Sequence, residues 1–301
     1  MIDSGRPNRN TCAICGPAPY TVKYREKIIP GKLDFSARHI PDNTHWRMVV
    51  CNRCGLIYSN PNPPPHEIIE AYAEAKFSDD YQIKHYSKDY INQLRLVDPI
   101  VVTKERLLEV GCGSGFFLKL AKSDGWPEVC GVEVSKEAVK LAPGDIRKNI
   151  INGPFKLEYF DLESFDVVCI FQVFDHLIDL NNFISDVKRL LKPGGIILAV
   201  NHNIRSWITN ILGEKSPMYD MQHIYLFDLD TMRLLYDKHG MEVVKMKNIW
   251  SWYAMEHVVK QFPFPGLVKN NLIKLLNRVG IDDLTIPLPG GNMVSVARKV
   301  S

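Results

Sequence analysis

The sequence predicts an α/β protein in which a parallel sheet, covered by helices on both faces, is preceded by a small cysteine-rich ribbon. Three observations carry that expectation. From residue 106 onward, short apolar runs alternate with amphipathic segments, the pattern of buried parallel strands joined by crossover helices. The run LLEV leads directly into GCGSG, so that Gly111, Gly113 and Gly115 stand at alternate positions before an apolar helix. Residues 1–62 hold two CxxC pairs, Cys12/Cys15 and Cys51/Cys54, in a stretch with little apolar periodicity.

The bulk properties agree. A chain of 301 residues has room for one large α/β domain and a small satellite. Hydrophobic residues at 46% and charged residues at 24% are those of a soluble globular protein. A net charge of +3, with no run of five basic residues, lacks the concentrated basic stripe of a nucleic-acid surface, so no DNA partner is expected. There is no apolar stretch of 18 residues and no secretory leader pattern, so stable membrane insertion is not expected and the cytoplasm is the expected location. Thiols stay reduced there, and seven cysteines then read as ligands or packing groups.

Taken in order, the elements divide the chain into a ribbon at 1–62, a linker with cap helices at 63–98 and a main domain at 99–301. SNPNPPP ends the ribbon as a stiff spacer, because proline forbids helix and interior strand. HEIIEAYAEAKF puts Ile69, Tyr72, Ala73 and Lys76 on one helical face, and DYINQLRLV does the same for Ile91, Leu94 and Val97. LLEV, VCGVEV, KNIINGPF, FDVVCIFQV and GIILAVNHN read as strands or strand ends, with helices at FFLKLAKSDG, after Ser135 and at NNFISDVKRLL. After the helix DTMRLLYDKHG, two further strands, MEVVKMKNI and NMVSVARKV, flank an aromatic-rich insertion at 249–290 expected to cover the site. Its Trp250, Trp252, Tyr253, Phe262 and Phe264 offer stacking faces for a sugar or an aromatic acceptor, or a satellite core.

The glycine turn points to a ligand. In an open parallel sheet ligands bind at the carboxyl ends of the strands, and three glycines bring backbone amides close to one. The spacing E-x-G-x-G-x-G departs from the dinucleotide fingerprint, whose third glycine would fall at Phe116. Glu109 before the turn would repel a pyrophosphate and suits an ammonium or sulfonium group. Glu133, ending the next strand, suits ribose hydroxyls. A phosphate-free nucleoside with a cationic tail describes S-adenosylmethionine.

On LLEVGCGSGFFL, GVEVS, FDVVCIFQVFDHL and LLKPGGIILAV the chain resembles the class I S-adenosylmethionine-dependent methyltransferases over residues 107–299. The resemblance implies a Rossmann-like seven-stranded sheet whose last strand is antiparallel. It also implies that Gly111, Cys112 and Gly113 border the methionine portion, with Glu109 near its amino group. Glu133 would hold the ribose, Val134 the adenine, Asn152 and Phe155 the adenine side, and Phe171 and Gln172 the opposite flank.

The two pairs have the form CxxCG, and four thiolates give a closed tetrahedral zinc site. Metal binding of this kind supplies about 10–16 kcal/mol of apparent folding free energy, which a core-poor segment needs. His39 or His45 replacing one cysteine, and a redox CxxC, are the alternatives. Cys112, Cys130 and Cys169 fall in core strands and turns and read as packing.

A narrower resemblance, to bacterial sugar C-methyltransferases, rests on the paired CxxC motifs and on His176 and His223. It implies His223 as general base, with Gln222 standing where that family has Glu. A second, to ubiquinone-pathway O-methyltransferases, rests on acids around His176. Asp175 keeps one and Gln172 replaces the other, so it does not carry metal assistance over. His202 follows the fifth strand. The expected activity is methyl transfer to a small-molecule hydroxyl or activated carbon, on a saccharide or biosynthetic intermediate. The alternatives are a protein or RNA acceptor docked by the ribbon, a non-catalytic cofactor binder, and an NAD(H) oxidoreductase. An oligomer is compatible with all of these.

Overall fold

The computed structural model describes residues 11–28, 44–61, 65–75, 77, 80–262 and 264–300. The first ten residues of the expected ribbon, His39, residues 62–64 (Asn62, Pro63 and Pro64) and Lys76 lie outside the described residues.

The ribbon opens with β1 (Thr11–Cys12) and β2 (Gly16–Pro17), an antiparallel pair that turns through the first CxxC. β3 (Tyr20–Tyr24), β4 (Met48–Cys51) and β5 (Ile57–Ser59) pair in sequence as an antiparallel sheet, and the second CxxC turns between β4 and β5. Helices α1 (Pro65–Glu74) and α2 (Asp80–Leu94) follow. Pro65 opens α1 at the position where a missing N–H costs nothing. Leu94 and Val97 are fully buried, as their spacing predicts.

The main domain alternates strand and helix. β6 (Arg106–Val110), α3 (Phe116–Ser123), β7 (Glu128–Glu133), α4 (Lys136–Leu141), α5 (Gly144–Arg147) and β8 (Ile150–Asn152) form its first half. β9 (Phe165–Phe171), α6 (Leu180–Leu190) and β10 (Leu191–His202) continue it. α4 begins where the Ser135 hydroxyl accepts a hydrogen bond from Ala138 N at 3.3 Å, a side-chain cap that satisfies one of the free amides of the first turn. α7 (Trp207–Leu212), β11 (Tyr225–Leu226), α8 (Leu229–Lys238), β12 (Met241–Ala254), α9 (Met255–Gln261), α10 (Gly266–Val279) and β13 (Thr285–Lys299) complete the chain.

Seven strands lie in the order β12-β13-β10-β9-β6-β7-β8. β13 runs against both neighbours, and the remaining strands are parallel to one another. All residues of β9 are buried, because helices cover both faces of this central strand. The order reverses beside β6, so the cleft at its carboxyl end is the ligand position such sheets offer.

Two features go beyond the sequence reading. The ribbon is not a separate satellite: β11, from the main domain, adds to its sheet in the order β11-β5-β4-β3. Leu56 and Tyr58 then bury themselves in one core with Phe174, Tyr225 and Leu235, since a three-stranded ribbon has no core of its own to hide them in. The insertion at 249–290 is built on continued strand pairing. β12 and β13 stay paired through Trp250↔Pro289 to Ala254↔Thr285 and carry α9 and α10 between them.

Candidate functional site

A cavity of about 1080 Å³ opens at the carboxyl ends of β6, β7, β9 and β10. That is slightly above the roughly 300–1,000 Å³ of a single-ligand pocket, and leaves space for a nucleoside cofactor and an acceptor together.

Its floor is the glycine turn. Gly111 has φ +76°, and a Cβ there would meet Val173 Cγ2 at 2.6 Å. Gly113 has φ +55°, with the Phe77 ring 2.9 Å from a Cβ position. Side chains are excluded twice over, by backbone conformation and by space. The amide of Gly113 donates to Glu133 Oε2 at 2.8 Å and the amide of Ser135 to Glu133 Oε1 at 2.8 Å, so the carboxylate is held by its own loop and by the turn opposite. Burial raises the pKa of Glu133, and the amides of Ser135, Gly113 and Val134 partly offset it.

Glu109 is 3% exposed, and its Oε2 has no hydrogen-bond partner. Burial, followed by the charge on Glu133, pushes its pKa well above the usual carboxylate range. A buried oxygen without a donor costs about 1–3 kcal/mol, which a cationic ligand at that point would recover. Two carboxylates flank a turn whose amides at Gly111, Cys112 and Gly113 are bonded within the protein, to the Val132 carbonyl and to Glu133, and this acidic, side-chain-free gap is one that a cationic, phosphate-free nucleoside such as S-adenosylmethionine fits.

The cavity brings together Glu109, Gly111, Cys112, Gly113, Glu133, Val134, Phe155, Phe171, Gln172, His176 and His223. Asn152 is placed elsewhere. Its Nδ2 donates to the carbonyls of Glu133 at 2.8 Å and Val134 at 3.3 Å, bracing the end of β7 while Gly153 and Phe155 line the wall. Gln172 adopts a left-handed φ of +56° and donates to Asn292 Oδ1 at 3.2 Å. Of the five insertion aromatics only Tyr253 and Phe262 line the cavity; Trp250 and Trp252 are 61% and 44% exposed.

The histidines converge around Asp175, the acid that the ubiquinone-pathway resemblance keeps beside His176. Asp175 is 2% exposed, with His176 Nε2 at 3.7 Å from Oδ1 and His223 Nε2 at 3.8 Å from Oδ2. Neither carboxylate oxygen has a hydrogen-bond partner. His223 Nδ1 lies 3.0 Å from the Met218 carbonyl, and His176 Nδ1 lies 3.0 Å from the Gln222 carbonyl and 2.8 Å from the Tyr72 hydroxyl. A carbonyl only accepts, so both Nδ1 atoms donate and both Nε2 atoms present lone pairs in the neutral ring. Three acceptor groups thus face one another, an arrangement able to hold a proton or a metal ion. Burial lowers the pKa of His223 and of His202, against the opposing pull of Asp175. Burial alone would raise the Asp175 pKa, but His176, His223 and His202 hold it below its usual value. Asp175 was signalled in the sequence as the retained acid beside His176, and Tyr72 only by its place on the cap helix.

The four ribbon cysteines form a second cluster, with all four sulfurs within 4.8 Å of one another and Cys12 Sγ 3.6 Å from Cys54 Sγ. The amides of Ile14 and Cys15 point at Cys12 Sγ at 3.4 and 3.5 Å, the bonds a metal-bound thiolate accepts. His45 is placed apart, its Nδ1 2.8 Å from the Trp46 carbonyl and its Nε2 3.1 Å from Glu214.

Comparison with known proteins agrees with this geometry. Among curated proteins the chain is 24% identical to the ubiquinone biosynthesis O-methyltransferase of Coxiella burnetii (strain Dugway 5J108-111) over 166 residues, covering 50% of this chain and 70% of that protein. It is 29% identical to the Pelagibacter ubique enzyme of the same name over 114 residues, covering 36% of this chain and 47% of the relative. A Bacillus halodurans C-125 protein described as a methyltransferase superposes with a TM-score of 0.51 at 16% identity, covering 71% of this chain and 100% of that one, and shares its fold. The family model for the methyltransferase domain matches residues 80–246, more than half of the chain, and the chain belongs to that family as a class I S-adenosylmethionine-dependent methyltransferase.

Proposed function

We propose that this methyltransferase acts on a small molecule, at a hydroxyl or activated carbon of a saccharide or related biosynthetic intermediate, with His223 as the general base. The observation that carries the reading is that the glycine turn with its two carboxylates and the buried His223 open into one cavity. When bound, S-adenosylmethionine would supply an electrophilic methyl group with a neutral thioether as leaving group, and His223 Nε2 would take the proton that the acceptor gives up. The chain's own residues prepare that transfer. Met218 fixes the His223 tautomer through Nδ1, so Nε2 is the basic atom. Asp175, 3.8 Å away, stabilises the imidazolium that forms. Tyr72 donates to Gln222 Oε1 at 3.1 Å and closes the cap helix over His176. Gly111, Cys112, Gly113, Val134, Phe155, Phe171 and Gln172 are the proposed cofactor wall, with Glu109 and Glu133 as its polar anchors. Cys12, Cys15, Cys51 and Cys54 are the proposed ligands of a structural zinc ion.

Incubation with tritium-labelled S-adenosylmethionine and separated metabolite and macromolecular extracts tests the acceptor class. Label in the metabolite fraction is expected; label confined to protein or RNA would overturn the reading in favour of a macromolecular acceptor docked by the ribbon.

A second reading has its own observation, the two unpartnered oxygens of Asp175 facing two imidazole lone pairs. A divalent cation held by Asp175, His176 and His223 would acidify an acceptor hydroxyl directly and leave no role for a free base. Elemental analysis separates the two: one metal per chain fits the ribbon alone, and a second metal that Asp175→Asn removes fits this alternative.

A further inference from the structure

The charge of the cavity away from the cofactor bounds the acceptor. Glu109 and Glu133 stand at the glycine turn, but the cap elements bring further carboxylates to the same space: Asp89 from α2, Asp220 before His223, Glu256 from α9, and Asp282 and Asp283 after α10. Among the described residues, Lys260 is the one lysine or arginine lining the cavity, and its Nζ is 2.8 Å from Glu256 Oε1. Asp283 is bound by Lys84 and lies 3.2 Å from His85 Nε2, so Lys84 already has a carboxylate partner.

Polar atoms on the same walls point the same way. Asp89 Oδ2, Gln93 Oε1 and Gln261 Oε1 are buried and accept no hydrogen bond. Asp89 and Gln93 lie one helical turn apart on α2, and Gln261 comes from α9, so two independent elements that line one cavity carry unmatched acceptors. Buried acceptors without donors are costly unless a ligand supplies them.

Resting on the small-molecule reading above, we infer that the acceptor is a phosphate-free molecule rich in hydrogen-bond donors, an amine or a polyol, and that phosphorylated and nucleotide-linked acceptors are excluded from this cavity. Among the described lining residues a diphosphate meets no guanidinium, and the one ammonium, Lys260, is already paired with Glu256, so it would face Asp89 instead. An amine or a hydroxyl cluster carries the kind of donor that Asp89, Gln93 and Gln261 lack.

The full-length protein is incubated with tritium-labelled S-adenosylmethionine and a metabolite extract divided by ion exchange into cationic, neutral and anionic pools. Label in the cationic pool assigns an amine, and label in the neutral pool a polyol. Label concentrated in the anionic pool and displaced by phosphatase or nucleotide pyrophosphatase overturns the inference. With the labelled acceptor in hand, Asp89→Asn should raise its KM about tenfold while kcat and the affinity for S-adenosylhomocysteine change less than twofold; an unchanged KM removes Asp89 from acceptor binding. Absence of label from every pool counts against the small-molecule reading, and a titration then decides the inference alone. Uridine diphosphate and inorganic pyrophosphate, at millimolar concentration on the S-adenosylhomocysteine-loaded protein, should leave the His223 and Tyr253 ring resonances unmoved. Saturable shifts of those rings would sink it.

Discussion

Replacing Glu133 by Gln tests the cofactor site at its most constrained atom pair. Both carboxylate oxygens already accept backbone amides at 2.8 Å, one from Gly113 and one from Ser135, and each oxygen keeps a second lone pair for a ribose hydroxyl. The amide side chain is the same size but uncharged, and one of its ends is now a donor aimed at a backbone N–H. At least one hydrogen bond to a charged acceptor is lost, at about 1.5–3 kcal/mol. This corresponds to roughly tenfold to 150-fold weaker binding. The assay is calorimetric titration with S-adenosylhomocysteine at a pH well above the raised Glu133 pKa, where the native side chain is ionised. Thermal melting alongside it separates weak binding from a disturbed fold. Glu133→Ala should be at least as severe, since it also releases the amide of the glycine turn. Unchanged affinity in both variants, with melting temperatures preserved, would refute the assignment of this carboxylate to the cofactor and with it the reasoning from the two acids flanking the turn.

His223→Ala should lower turnover about a hundredfold to ten-thousandfold, the usual contribution of a positioned base, and leave S-adenosylhomocysteine affinity within twofold; equal turnover would remove His223 from the chemistry. Because burial depresses the His223 and His202 pKa values, the unfolded chain binds more protons than the folded one below about pH 6.5. Melting temperature should therefore fall as pH drops through that value, and His202→Asn with His223→Asn should flatten the slope. The raised pKa of Glu109 means that a cationic cofactor drives its proton off, so binding enthalpy should vary with buffer ionisation heat in the sense of proton release. Glu109→Gln should abolish that dependence. Elemental analysis should find one zinc per chain in the ribbon, and Cys51→Ser with Cys54→Ser should lower both zinc content and melting temperature; a metal-free protein of full stability would overturn the ribbon assignment.

Part of the fold was legible because its information is local. Alternating apolar runs and helical faces announce a covered parallel sheet, and LLEVGCGSGFFL needs no distant partner to predict a strand, a turn and a helix. Gly111 and Gly113 were readable as cavity floor because positive φ and crowding both demand glycine there. Asn152 was not, since the sequence shows its nearness to Glu133 in the fold but not the direction of its amide, which goes to backbone carbonyls. Trp250 and Trp252 failed for a related reason. A strand alternates its faces, and only the pairing of β12 with β13 decides which residues turn outward.

The sequence by itself determined the class of the sheet, the glycine turn, the two carboxylates at the strand ends and the pairing of CxxC motifs, all of which follow from spacing within a few residues. The tertiary structure alone decided that β11 completes the ribbon sheet, that Asp175 sits between His176 and His223, and that cap carboxylates from four separate segments share the cavity. Those juxtapositions join residues far apart in the chain, and burial in a common core, rather than local propensity, is what holds them together.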